Sequence, residues 1–158
     1  QMNSGASIAS GKVVLFLHAD TLLPENVAEI ISAACVGESF WGRFDVRLSN
    51  KKYVYRLIEC MMNMRSSLTS IVTGDQAIFI EKSLFDRIGG FPEIALMEDI
   101  EISRRLKKIS KPVRLKNRVV TSSRRWERNG VFATVFLMWK LRLYYFFGVS
   151  PEKLNQMY

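Results

Sequence analysis

Cysteine is scarce in this chain, two among 158 residues, at Cys35 and Cys60. Both fall in apolar stretches that read as helices, with neither metal-ligand spacing nor a disulfide framework. That favours a reducing compartment, hence a cytoplasmic protein or one at the inner face of a membrane. Long hydrophobic runs are missing too. The longest, Val131 to Trp139, contains Thr134 and is closed by Lys140 and Arg142, short of the roughly 20 residues a membrane-crossing helix needs. No internal repeat or low-complexity segment is present, and no signal-peptide pattern is read at the start. Acidic charge is in the minority: 23 Lys and Arg against 15 Asp and Glu leave a net charge of +8. The surplus is concentrated between Arg104 and Arg128, which favours an anionic partner such as a phosphorylated substrate, an acidic lipid surface or nucleic acid.

What is present is a hydrophobic content of 48% in one domain-sized length, enough for a single core. The stretch Lys12–Pro24, KVVLFLHADTLLP, organises the rest. Val13–Leu17 is a continuous apolar run after Gly11, as expected of a strand buried on both faces. His18 and Asp20 follow at its carboxyl end, where open α/β sheets place ligands. Alternation along an extended chain puts both on one side, within reach of one cation, and a plain turn-capping role for Asp20 stands beside that reading.

The order of elements predicts a layered α/β domain. A short helix over residues 1–10 precedes the strand, and a helix with Val27, Ile30, Ile31 and Ala34 in its apolar stripe follows Pro24. Residues 40–48, FWGRFDVRL, alternate with period two and predict a half-exposed strand, antiparallel or at an edge. Residues 52–68 read as a helix with Val54, Leu57, Ile58, Met61, Met62 and Met64 as its apolar face. Ala77–Ile80 reads as a strand, Lys82–Ile88 and Glu98–Lys108 as helices, Val113–Thr121 as one or two strands. Ser122–Gly130 reads as a basic loop, Val131–Phe147 as a helix, and Ser150-Pro151 opens a tail helix.

Three further constellations carry chemistry. Asp99 lies three residues before Ile102 on the inward stripe Ile102, Leu106 and Ile109, so its carboxylate continues the buried face at the helix start, where a general base could sit. Dipole compensation explains such an acid equally well. Gly74-Asp75-Gln76 precedes a strand and can meet the same cleft. Ser122–Arg128 packs three arginines, including Arg124 and Arg125, around Trp126; guanidinium forks suit phosphate oxygens, and the indole can stack on a sugar or base.

FLHADTLLP, TGDQAIFI, GGFPE, MEDIEISRRL and SSRRW, in that order, resemble glycosyltransferase family 2, the inverting GT-A type enzymes that use nucleotide-sugar donors, and come closest to a small bacterial subgroup sometimes linked to arsenosugar biosynthesis. The resemblance runs from Gln1 to about Gly130. It implies a GT-A fold, α/β and Rossmann-like, with a mixed, mostly parallel sheet flanked by helices. The start at Gln1, within what reads as a helix, fits a fragment lacking the N-terminal nucleotide-binding part. Residues 1–130 would then be the rest of the catalytic domain and 131–158 a C-terminal helical segment. His18-Ala19-Asp20 falls on the family's Asp-x-Asp motif, so Asp20 would hold Mg2+ or Mn2+ against the donor diphosphate, with His18 replacing the first Asp. Asp99 falls on the base that deprotonates the acceptor hydroxyl, and Glu98, Gly74, Asp75 and Gln76 on the acceptor side. Arg125 and Trp126 match the end of the Gln-x-x-Arg-Trp motif of processive members, whose Gln is Ser122 here, so polymer synthesis is not expected.

The expected partners are a nucleotide-sugar donor and an acceptor, lipid-linked or small, and no nucleic acid. Segment 131–147, apolar on most sides apart from Lys140 and Arg142, suits core packing first, then a membrane surface or a homodimer contact. The rival readings are a non-catalytic basic nucleic-acid-binding module and a metal-dependent nucleotidyltransferase.

Overall fold

The computed structural model describes residues 1–158 and shows an α/β domain with one mixed five-stranded sheet flanked by helices. In chain order the elements are α1 (Met2–Ile8), β1 (Val13–Phe16), β2 (Thr21–Leu22), α2 (Val27–Ala34), β3 (Trp41–Leu48) and α3 (Tyr53–Thr69). A 3-10 turn at Gly74–Gln76 leads into β4 (Ile78–Glu81), α4 (Lys82–Arg87), α5 (Glu98–Leu106) and β5 (Val113–Thr121). Then come α6 (Arg124–Asn129), α7 (Val131–Phe146) and α8 (Pro151–Met157).

The strand order is β1-β4-β3-β5-β2. Only β3 and β5 run parallel; β1–β4, β3–β4 and β2–β5 are antiparallel. The expectation of a mostly parallel sheet is therefore corrected. The short strands β1, β2 and β4 meet their neighbours over two to four residue pairs, whereas the β3–β5 ladder spans seven and carries a bulge at Phe44/Asp45. Antiparallel neighbours do not require the long crossover that each parallel pair demands.

Two strands exchange their expected places. β1 has β4 as its sole neighbour, so Val13, Leu15 and Phe16 are half-buried although apolar residues cover both of its faces. β3 is central, and its polar alternates Arg43 and Asp45 are buried, while Arg47 alone faces water. Arg43 donates to Asp45 at 2.6 Å, to the Asn63 carbonyl at 3.0 Å and to Ser67 Oγ at 2.7 Å. Arg114 grips the same Asp45 carboxylate through Nε (2.9 Å) and Nη2 (2.7 Å). Period two was the correct strand signal, but paired ions inside the fold replace solvent on the polar face.

β4 covers β3 only at Trp41 and Gly42, and α3 side chains take over beyond that point. The Val46 N–H donates to Asn63 Oδ1 (2.9 Å), and Asn63 Nδ2 donates to the Val46 carbonyl (3.0 Å). Two residues further along the strand, Glu59 accepts from the Leu48 N–H at 2.5 Å and Arg56 donates to the Leu48 carbonyl at 2.9 Å. Four helical residues advance about 6 Å and two strand residues about 6.7 Å, so a polar stripe at i and i+4 can track a strand's backbone groups. This stripe turns α3 over. Tyr55 and Ile58 are buried with it, while Val54, Leu57, Met61 and Met64, expected inward, are exposed.

The core divides between the sheet's two faces. Val14, Trp41, Ile80, Phe85, Ile102 and Leu106 form one cluster, with α1, α4 and α5. Ile31, Phe44, Phe79, Leu115 and Val119 form the other. Ile109, the expected end of the α5 stripe, lies beyond that helix and is exposed. The Gly89-Gly90 pair, both at positive φ, turns the chain from α4 into a loop that Asn3 clamps through the Phe91 N–H and carbonyl, each at 2.9 Å. No helix is long and apolar enough to cross a membrane.

Candidate functional site

The chain between β1 and β2 carries His18 and Asp20 out of the sheet edge, and both are exposed. The 3-10 turn brings Gly74 beneath the imidazole so closely that a Cβ at residue 74 would overlap the ring. His18 Nδ1 lies 3.4 Å from Asp75 Oδ1. That hydrogen bond, reinforced by the charges of Asp75, Asp20 and Asp99, raises the histidine's pKa against the opposing effect of burial. The 3-10 turn is itself anchored from below. Ser103 Oγ accepts the Val72 N–H (3.1 Å) and donates to the Asp99 carbonyl (2.7 Å), linking the approach to Gly74 with the first turn of α5.

α5 is preceded by Met97, a non-glycine residue at φ +72° whose side chain makes no capping hydrogen bond. Glu98, Asp99 and Glu101 occupy its first turn, the favourable end of the helix dipole for acids. Asp99 accepts the Ile100 N–H at 2.7 Å. Burial, with the neighbouring Glu98 charge added, pushes its carboxyl up to about 6, while the Ile100 hydrogen bond and the guanidinium groups of Arg142 and Arg65 pull the other way.

A cavity of about 370 Å3 gathers these groups, and eight of the ten sequence-predicted site residues line it: His18, Asp20, Gly74, Asp75, Glu98, Asp99, Arg125 and Trp126. A larger cleft of about 1160 Å3 shares His18, Asp20, Gly74, Glu98 and Asp99 with it, and there Arg124 contributes. The five shared residues form the boundary between the two chambers. Gln76 lines neither: it is fully buried, accepts the Thr73 N–H and donates to Asn63, each at 3.3 Å, and so supports the turn from within.

The segment expected as a basic loop is helical. Ser123 precedes α6 and donates to Glu127 at 2.7 Å, and Asn50 donates to the same carboxylate at 2.7 Å. Arg125 stacks over the Tyr158 ring, 3.7 Å from its centroid, and burial lowers its pKa. Trp126 packs against the Leu48, Tyr55 and Ile58 cluster while also lining the cavity.

The fold adds residues that were not singled out as site residues. Arg142 of α7 lines the cavity, and burial lowers its pKa while Asp99 and Asp75 oppose that shift. Arg65 of α3 is lowered to about 10 by burial and the nearby Arg142 charge, and its Nη2 is buried with no partner. Thr73 Oγ1 is likewise buried without a partner at the cavity wall. The available signal was Arg65 in the second half of α3 and Arg142 in the apolar α7, each of which reads as an interruption until tertiary structure supplies the acid. α7 and α8 close the cavity through Leu141 and Leu154, packed on Met97.

No three His, Cys, Asp or Glu side chains converge as a metal cage. The donor chemistry fits a cation carried by a ligand: a hard divalent ion on a diphosphate takes phosphate and water oxygens and needs only one or two protein carboxylates. Asp20 supplies one. Searches against protein-family models, curated proteins and solved structures find no match to this chain.

Proposed function

We propose that the chain carries the catalytic machinery of an inverting, nucleotide-sugar-dependent glycosyltransferase of the GT-A type. The observation that carries the reading is the convergence of Asp20, Glu98 and Asp99 with Arg125, Arg142 and Trp126 around one cavity. Charge of both signs around one cavity suits a reaction in which a proton leaves one atom and negative charge develops on another.

In this reading the acceptor oxygen attacks the anomeric carbon from the face opposite the diphosphate. The new carbon–oxygen bond forms as the bond to diphosphate breaks, and the hydroxyl proton passes to Asp99. A carboxyl titrating near 6 is ionised at neutral pH and basic enough to accept that proton. Arg125 meets the charge gathering on the departing diphosphate, and Trp126 offers a flat apolar wall to a ring. Asp20 would hold Mg2+ or Mn2+, which neutralises diphosphate charge when bound. His18, tied to Asp75 over Gly74, positions the loop that carries Asp20.

Calorimetry of nucleoside diphosphate binding, with and without Mn2+, tests the reading on the chain and on Asp20→Ala. Metal-dependent binding lost in the variant is expected. Binding that ignores both the metal and the substitution would overturn it.

A further inference from the structure

The apolar residues of α7 that leave the core are not scattered. Phe132, Phe136, Trp139, Leu143 and Phe146 are exposed at spacings of four, three, four and three, one continuous stripe along the helix. Phe132 is 87% and Trp139 66% exposed. α3 approaches α7 at two points: Tyr55 and Ile58 share a cluster with Val131 near the helix starts, and Arg65 borders the α7 surface further on. A trough of about 1030 Å3 lies there, lined by the stripe and by Arg65, Lys140 and Arg142.

The positive charge of this trough is not spent within the protein. Arg142 enters none of the ion pairs of the chain. Arg65 donates to the Ile71 carbonyl at 3.2 Å and leaves Nη2 buried without a partner. Lys140 lies 5.5 Å from the Tyr144 ring centroid, its ammonium at the rim of the apolar surface. Arg142 also lines the cavity that holds Asp99, so the cationic part of the trough adjoins the candidate catalytic site.

An apolar channel with unpaired guanidinium groups at the reaction cavity is complementary to one kind of molecule. We infer that the α3–α7 trough binds the acceptor, a lipid with an anionic, phosphate-bearing head, its chain along Phe132, Phe136 and Trp139 and its head against Arg142 and Arg65. The word acceptor rests on the transfer reading above; the binding of such a lipid does not. A second copy of the chain fits less well, because large aromatic rings at this spacing are poor knobs for the holes of a facing helix, whereas Trp and Phe beside Lys and Arg suit lipid.

The probe is dodecyl phosphate below its micelle concentration, compared with dodecyl maltoside and inorganic phosphate, on the full chain. The emission of Trp139, isolated by subtracting a Trp139→Phe variant, is expected to shift to the blue and saturate. Dodecyl phosphate should bind at least about tenfold more tightly than either control, since a charge-assisted contact and a buried chain each contribute about that factor. Phe136→Glu should weaken binding about tenfold, and Arg142→Gln should remove the preference for phosphate over maltoside while Arg142→Lys keeps part of it. Nucleoside diphosphate binding by Phe136→Glu should match that of the parent, so failure of the donor site and failure of the lipid site are read separately. Equal affinity for the two detergents, or for inorganic phosphate alone, would overturn the inference. So would a dimer in sedimentation that Phe136→Glu dissociates and no lipid disrupts.

Discussion

Two groups of charges flank α3, and they are treated in opposite ways. Under the helix, Arg43, Asp45 and Arg114 are paired at 2.6–2.9 Å, and Arg43 spends its remaining donors on backbone and hydroxyl oxygens. Burial pushes the Asp45 carboxyl up, but the hydrogen bonds from Arg114 and Arg43 outweigh it and hold the group below its ordinary value. In the cleft, Asp99 faces Arg65 and Arg142 without a direct ion pair to either, and its carboxyl rises to about 6. The first cluster ties strands together. The second keeps its capacity for an incoming ligand, so desolvation prevails at Asp99 where hydrogen bonds from two guanidinium groups prevail at Asp45.

The largest expected effect separates the two clusters most sharply. Asp99→Asn should lower turnover about 10²–10⁴-fold, the usual contribution of a general base. The same change should stabilise the fold at pH 8. Because the folded carboxyl titrates near 6 rather than 3.8, the wild type favours the protonated form, and its penalty grows as pH rises through that interval and is complete above it. Thermal unfolding should therefore show a gain of up to about 3 kcal/mol at pH 8 and essentially none below pH 4.

Asp45→Asn should act in reverse, costing about 3–5 kcal/mol and lowering Tm by roughly 6–20 °C, because Arg43 is left buried without its counter-charge. Equal stability changes of one sign in the two variants would dissolve the contrast.

Much of this arrangement was legible in the sequence. The apolar run before His18, the double glycine before Phe91 and the acids opening α5 each report a local constraint, and the fold brings eight of the ten candidate residues to one cavity. The centrality of β3 was hidden because alternation reveals a strand but not what covers its polar face. The orientation of α3 was hidden for a related reason. Glu59 and Asn63 at i and i+4 serve a strand's backbone, and apolar moment arguments assume that polar residues face water. Arg65 and Arg142 stayed invisible because their meaning comes from Asp99, which is distant in sequence.

Smaller effects sharpen the same contrast. Asn63→Ala, which unpairs the Val46 N–H and carbonyl, should cost about 1–3 kcal/mol in denaturant melts. Asp75→Asn should return His18 towards its ordinary titration, and the chain's single histidine makes the NMR assignment direct. An unmoved titration would show that Asp75 does not hold the imidazole. Asp86→Asn, which weakens the exposed Lys82 pair, should change stability by no more than about 0.5 kcal/mol.

The most direct test of the central claim is the pH dependence of nucleoside diphosphate release from a panel of nucleotide sugars, compared between the chain and Asp99→Asn. Release with an acidic limb near pH 6, absent throughout in the variant, is the predicted result. Release that is independent of pH between 5 and 8, or that survives in Asp99→Asn, would contradict Asp99 as the base and remove the foundation of the transfer reading.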